Sequence, residues 1–212
     1  MSERSTSYFV AFVIFCISVL LPLSVSAKDN DMSLRFWGQV SPFISGKAGS
    51  GLGAPDYDDA FNAGFGMGGE LSWRLSDRVS CLAGIGYEIY DGGEHEGITF
   101  DDLEVLPVYA GAKVHLIPDT NRWDPYLRMD IGAAHLSSVD VSYEHLKGRY
   151  WDSSWVFLFD FGGGAEYRWG QWGASLDLKL RYIGEPDSAL GDPSNAHSSL
   201  SVPVVLGINY HF

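Results

Sequence analysis

Phe61-Asn62-Ala63-Gly64-Phe65-Gly66-Met67-Gly68-Gly69-Glu70-Leu71-Ser72-Trp73-Arg74-Leu75 alternates without a break: the odd positions are apolar or glycine, the even positions polar or glycine. Successive side chains of a strand point to opposite faces, so this period of two predicts a strand with one apolar and one polar face. The same split returns near the end of the chain. There Trp172, Ala174, Leu176, Leu178, Leu180 and Tyr182 alternate with Gln171, Gly173, Ser175, Asp177, Lys179 and Arg181. A face carrying Glu70 and Arg74, or Asp177, Lys179 and Arg181, is more charged than the solvated side of a soluble sheet requires.

Working outward with the same rule gives strands over 33–45, 61–75, 79–91, 103–116, 124–142, 151–169, 171–184 and 198–212. Each exceeds the roughly 9–11 residues with which a tilted strand crosses hydrocarbon, and the number is even, as in single-chain bacterial barrels. Connectors alternate in length: 46–60, 92–102, 143–150 and 185–197 are long, while 76–78, 117–123 and residue 170 are short. In lipid an unpaired backbone N–H or C=O costs on the order of several kcal/mol, so a sheet with an apolar outer face spans only as a closed ring. The fold expected is all-β: an eight-stranded antiparallel up-and-down transmembrane β-barrel whose first and last strands pair. Aromatics fall at two levels. Trp73, Trp169, Trp172, Tyr210 and Phe212 stand near the short turns, and Phe61, Tyr87, Trp155 and Tyr182 near the long loops, as two interfacial girdles would.

The N-terminus supplies the address. Arg4 precedes an apolar run from Tyr8 to Leu23, and Val25-Ser26-Ala27 offers a small-residue cleavage site. A cleaved signal peptide over 1–27 and a single barrel domain over 28–212 are expected. Cys16 lies inside the apolar run, so no acyl anchor is expected, and Cys81 is left alone in the mature chain with no redox or zinc pattern. A net charge of −13, with no run among the 14 basic residues, excludes nucleic acid as a partner.

Leu200, Val202, Val204, Leu206, Ile208, Tyr210 and Phe212 form an outward stripe that ends on a terminal phenylalanine. With Leu206-Gly207-Ile208-Asn209-Tyr210-His211-Phe212, Asp124-Pro125-Tyr126-Leu127-Arg128 followed by Gly132, and Gly162-Gly163-Gly164-Ala165-Glu166-Tyr167-Arg168, the mature chain resembles the small outer-membrane barrel family of OmpA-type, OmpX-type and opacity-like porin barrels. The resemblance implies a Gram-negative outer-membrane location with both termini in the periplasm. It also implies insertion by the outer-membrane assembly machinery, with Tyr210 and Phe212 in its recognition signal, and contact with outer-membrane lipid and lipopolysaccharide. A monomer is expected. The family hosts structural proteins, adhesins, narrow pores and lipid-modifying enzymes, so the fold leaves activity open.

By parity the lumen receives Arg35, Glu70, Arg74, Glu88, Tyr109, Lys113, His115, Arg128, Asp130, Asp160, Glu166, Arg168, Asp177, Lys179 and Arg181. An eight-stranded ring is just wide enough for side chains to fill. The expectation is that these charges pair into a plug, because a charge buried alone costs several kcal/mol, roughly 3–5 when a partner is removed. Inward glycines at 64, 66, 68, 84, 86, 162 and 164 are read as room for the long charged side chains. A narrow ion channel is the alternative.

The long loops are acidic at Asp56, Asp58, Asp59, Glu94, Glu96, Asp101 and Asp102, but Glu94-His95-Glu96 matches no calcium-loop spacing, so neither metal nor cofactor is expected. His135 and Ser137, two apart on a lipid-facing strand face, resemble the His-x-Ser dyad of outer-membrane lipid A deacylases, with Asp140 or Glu144 in reach to orient the histidine. Ser138-Val139-Asp140 replaces the pattern expected after that serine. A plugged structural or surface-interaction barrel without enzymatic activity is therefore the reading, with a lipid A deacylase-like enzyme as the second alternative.

Overall fold

A computed structural model describes residues 32–49, 55–117, 122–143, 146–187 and 197–212; the signal peptide expected over 1–27 and Glu144 lie outside them. In chain order the elements are β1 (Met32–Ser41), β2 (Phe43–Ser45), a one-turn helix α1 (Tyr57–Ala60), β3 (Gly64–Ser76), β4 (Val79–Tyr90), β5 (Glu94–His95), β6 (Ile98–Phe100) and β7 (Leu103–His115). There follow β8 (Trp123–Leu136), β9 (Val139–Tyr143), β10 (Leu146–Trp151), β11 (Ser154–Trp169), β12 (Trp172–Ile183), β13 (Ser199–Ser201) and β14 (Val204–His211).

Eight of these strands close a barrel in the order β1-β3-β4-β7-β8-β11-β12-β14, each antiparallel to its neighbours. Closure comes from β1 on β14, in register from Ser33 opposite His211 to Val40 opposite Val204, so no edge is left in the wall. Two connections are two-residue hairpin loops, Asp77-Arg78 and Gly170-Gln171; in the second, between Trp169 and Trp172, Gly170 takes a positive φ of 66°.

The alternation reads out as a wall with two chemistries. Phe36, Met67, Ile85, Met129, Phe161, Leu178 and Leu206 point outward and are exposed. Arg35, Glu70, Arg128, Asp160 and Asp177 point inward and are buried. Near the short turns an aromatic band runs through Trp123, Tyr167 and Trp169, and again through Trp172, Tyr210 and Phe212, with ring centroids 5.0–6.1 Å apart.

At the other end the structure departs from the sequence expectations. The segment 124–142 is not one strand: after Leu136 the chain leaves the wall, and β9 pairs with β6 and β10 instead. A second, four-stranded sheet of order β10-β9-β6-β5 thus joins the second and third long loops. Trp151 belongs to this sheet rather than to the barrel, and Phe61 is only 2% exposed, so it is a core residue and not part of a lipid-facing girdle. The strand expected over 61–75 begins at Gly64, and the last strand is split into β13 and β14 at Val202-Pro203. Across from that break Pro42 splits β1 from β2, and Val202 N–H donates to the Pro42 carbonyl at 3.0 Å. Proline has no N–H for a ladder, so the wall is interrupted where both prolines stand.

Candidate functional site

The lumen is filled in three levels. In the middle, Arg128 from β8 reaches three carboxylates on three strands: Nη2 lies 2.8 Å from Glu70 and 2.6 Å from Asp130, and Nη1 lies 3.0 Å from Asp177. Lys113 adds a bond to Glu70 at 2.6 Å and Arg35 one to Asp177 at 2.7 Å. Tyr109 and Tyr126 donate their hydroxyls to Glu70 and Asp177. Toward the long loops Arg181 grips Asp160 through two nitrogens at 2.8 Å each and also meets Glu88, to which Tyr90 donates at 3.0 Å. Lys179 sits between Asp130 and Asp160 at 3.5 Å from each.

Toward the short turns, Asp124 holds Arg168 at 2.7 Å and has Arg74 at 3.9 Å, while Glu166 receives Arg168 at 3.3 Å and His211 at 2.6 Å. Here His115 also stands between Asp124 and Ser80, its Nδ1 2.9 Å from the carboxylate and its Nε2 2.8 Å from the serine Oγ. A hollow of about 40 Å³ opens beside these groups.

Every inward residue expected from parity faces the lumen. Among the described residues seven lumen carboxylates, Glu70, Glu88, Asp124, Asp130, Asp160, Glu166 and Asp177, meet seven cations: Arg35, Arg74, Lys113, Arg128, Arg168, Lys179 and Arg181. Among the described residues these lumen groups therefore balance to formal neutrality, with histidines counted as uncharged. The inward glycines make room for aromatic rings as well as for the charged side chains expected there. A Cβ at Gly64 would meet the Tyr90 ring, one at Gly84 the Tyr109 ring, and ones at Gly68 and Gly86 the Trp37 indole. Glu88 lies beside Gly66, Asp177 beside Gly164, Asp130 beside Gly111, Glu166 beside Gly173 and Arg35 beside Gly207, while Gly162 lies against the backbone of Leu178 and Lys179.

Above Glu88 and Tyr90 the lumen changes from polar to aromatic. Phe43 stacks on Tyr90 at 4.6 Å and packs on Tyr57 at 5.0 Å; Trp151 lies 5.6 Å from both Tyr57 and Phe61; Phe100 meets Phe61 at 5.9 Å and Tyr150 at 5.5 Å. These rings come from β2, from the first three long loops and their flanks, and from the end of β4. Burial pushes the Tyr57 hydroxyl above its ordinary range, so it stays protonated and donates to the His197 carbonyl at 3.1 Å, tying in the fourth loop. Backbone bonds stitch the layer together: Asn62 N to Asp91 O at 2.9 Å, Gly93 N to Ala60 O at 2.7 Å, and Asp101 N to Asp140 O at 2.9 Å.

His135 stands near the end of β8 and Ser137 just beyond it, and each is engaged elsewhere. The imidazole stands edge-on to Trp155 at 5.2 Å, Ser137 Oγ accepts the Glu104 amide at 2.9 Å, and Asp140 is engaged by Arg149 at 3.0 Å. Tyr210 packs between Trp172 and Phe212 on the outer surface. Cys81 is a free thiol on β4, opposite Trp73. Among the described residues no three His, Cys, Asp or Glu side chains are grouped as metal ligands.

Two features escaped the sequence reading. The aromatic plug is built from loop residues whose spacing follows no period. The Ser80-His115-Asp124 line needs the register of three strands, and of its members only His115 was among the residues expected inward.

No protein-family model matches the chain, and no curated protein matches it in sequence. Solved structures match in fold. Neisserial surface protein A (NspA) aligns with a TM-score of 0.52 at 13% identity, over 85% of this chain and 97% of that one. Ail, the attachment invasion locus protein of Yersinia pestis, gives 0.52 at 14% identity over 87% and 100%. The outer membrane protein OprG from Pseudomonas aeruginosa gives 0.51 at 16% identity over 88% and 98%. The likeness is one of fold: a closed eight-stranded barrel of the small outer-membrane type.

Proposed function

We propose that this chain, a barrel of the small outer-membrane type, is a non-conducting protein of the Gram-negative outer membrane that makes its contacts through an ordered loop layer. The observation that carries the reading is the double closure of the lumen. A neutral ion-pair network fills the middle, and an aromatic plug of Phe43, Tyr57, Phe61, Tyr90 and Trp151 seals the long-loop end. An ion crossing this path would have to break buried pairs and then shed its water against aromatic rings, both costly in a low dielectric.

In the proposed orientation the short turns and both termini lie in the periplasm and the four long loops outside the cell, the usual arrangement of such barrels. The exposed apolar wall then contacts lipid. The negative charge of the loops faces lipopolysaccharide, whose own anionic groups are bridged by divalent cations, so loop contact with it runs through shared cations rather than direct pairing. The single barrel is a monomer, with Tyr210 and Phe212 read by the assembly machinery. No enzymatic role attaches to His135 and Ser137 in this reading, since Ser137 is already bonded to Glu104.

Planar-bilayer recording on the detergent-refolded mature chain tests it. The expected result is a silent bilayer at protein levels where a porin control conducts; stable unitary currents would replace the plugged barrel with a narrow pore.

A further inference from the structure

At the short-turn end of the lumen a serine, a histidine and an aspartate stand in hydrogen-bonded series. Ser80 Oγ is 2.8 Å from His115 Nε2, and His115 Nδ1 is 2.9 Å from each oxygen of Asp124. Barrel register produces this line. Ser80 on β4 lies directly across from Lys113 on β7, and His115 is two residues farther along the same face. His115 lies across from Tyr126 on β8, and Asp124 is two residues from Tyr126 on that face. Each step is therefore a diagonal neighbour, about 7–8 Å away on the backbone, which an imidazole or carboxylate spans.

We propose that Ser80, His115 and Asp124 are the nucleophile, general base and orienting carboxylate of an esterase site for small acyl groups, entered from the short-turn end. The roles follow from geometry. A serine hydroxyl is a weak nucleophile until a base takes its proton, and the base works only if its other nitrogen is held in the correct tautomer. Asp124 does the holding, and it is itself fixed by Arg168 at 2.7 Å. The cross-strand neighbours of Ser80 on the lumen face are Arg74 and Lys113, so cationic side chains border the hollow in which an oxyanion would develop.

The hollow sets the substrate class. Its volume is about 40 Å³, more than the roughly 10–15 Å³ that a single water needs. A hollow of this size suits a short acyl group rather than a fatty-acid chain. Ser80 Oγ bonds to the ester carbonyl carbon while its proton passes to His115 Nε2. The tetrahedral intermediate collapses, the carbon–oxygen bond to the alcohol breaks, and His115 gives the proton to the departing alkoxide. Water then adds to the acyl-serine, losing a proton to His115; the bond to Oγ breaks, and Oγ takes that proton back. An ester and water become an acid and an alcohol. None of this requires conduction through the barrel.

The test uses the refolded full-length mature chain in detergent. It is treated with methanesulfonyl fluoride, a small reagent that sulfonylates an activated serine, and mapped by peptide mass spectrometry; hydrolysis of p-nitrophenyl acetate is followed in parallel. The expected result is a sulfonyl adduct on Ser80 that abolishes hydrolysis, with Ser80→Ala and His115→Gln each lowering the rate by roughly 10²-fold or more, in protein that keeps the gel mobility of a folded barrel. Labelling needs no variant, so it stands even if His115→Gln does not fold. An unlabelled Ser80, or a rate unchanged in Ser80→Ala, overturns the proposal and leaves the series as a structural relay only.

Discussion

Arg128 is where the lumen is most exposed to a single change. Its guanidinium contacts Glu70, Asp130 and Asp177, all of them buried, and among the described residues no other cation is paired with all three. Arg128→Met keeps much of the volume and removes the charge, leaving three carboxylates with only Lys113, Lys179 and Arg35 to share. The expected loss is about 3–5 kcal/mol of folding free energy, the range for stripping one partner from a buried pair, read by urea unfolding of the refolded barrel with tryptophan fluorescence. Arg149→Met is the contrast. Its pair with Asp140 leaves the two side chains 52% and 45% exposed, so the same measurement should show no resolvable shift. Alternation put Arg128 on the inward face from the sequence alone, and likewise the other lumen charges except Asp124. It did not place Ser80 beside His115, because alternation says which way a side chain points but not which residue of the next strand it meets.

The loop sheet raises the same question for whole elements. The alternation that marks β8 runs on through Val139 and Val141, so the sequence reads as one strand to residue 142, and only pairing reveals that the chain has changed sheets. The barrel was legible because each wall strand has a lipid face and a polar face of unlike chemistry. The loop sheet was not, because its strands are short and gain order from partners in other loops. β9 is central there, with Val141 opposite Phe100 on one side and Gly148 on the other. Val141→Pro removes an N–H and inserts a ring into a central strand, a position proline does not tolerate. The expected outcome is a barrel that still resists protease while the loops of residues 91–102 and 137–153 become cleavable, measured by limited proteolysis and mass mapping. Barrel and loops cut together would show that the two sheets fold as one unit.

For the whole molecule the governing fact is an inversion: the polar groups are inside and neutralised, and the apolar groups are outside. Water would not tolerate such a wall, since a soluble protein rarely exposes so large a contiguous apolar surface, whereas lipid requires it. Leu206 and Leu146 separate these cases. Leu206 lies on β14 in the middle of the wall and is 64% exposed; Leu146 opens β10 in the loop layer and is 74% exposed. In water alone, Leu→Arg at either site is a change at an exposed position and should alter stability little. In a bilayer the two part company. Leu206→Arg places a cation against hydrocarbon, costing about 2–4 kcal/mol near the midplane, while Leu146→Arg stays in solvent. Unfolding of the two variants in lipid vesicles is expected to show a large loss for Leu206→Arg and almost none for Leu146→Arg. Equal, small effects at both sites would mean that the apolar belt of β1, β3, β12 and β14 is covered by something other than lipid.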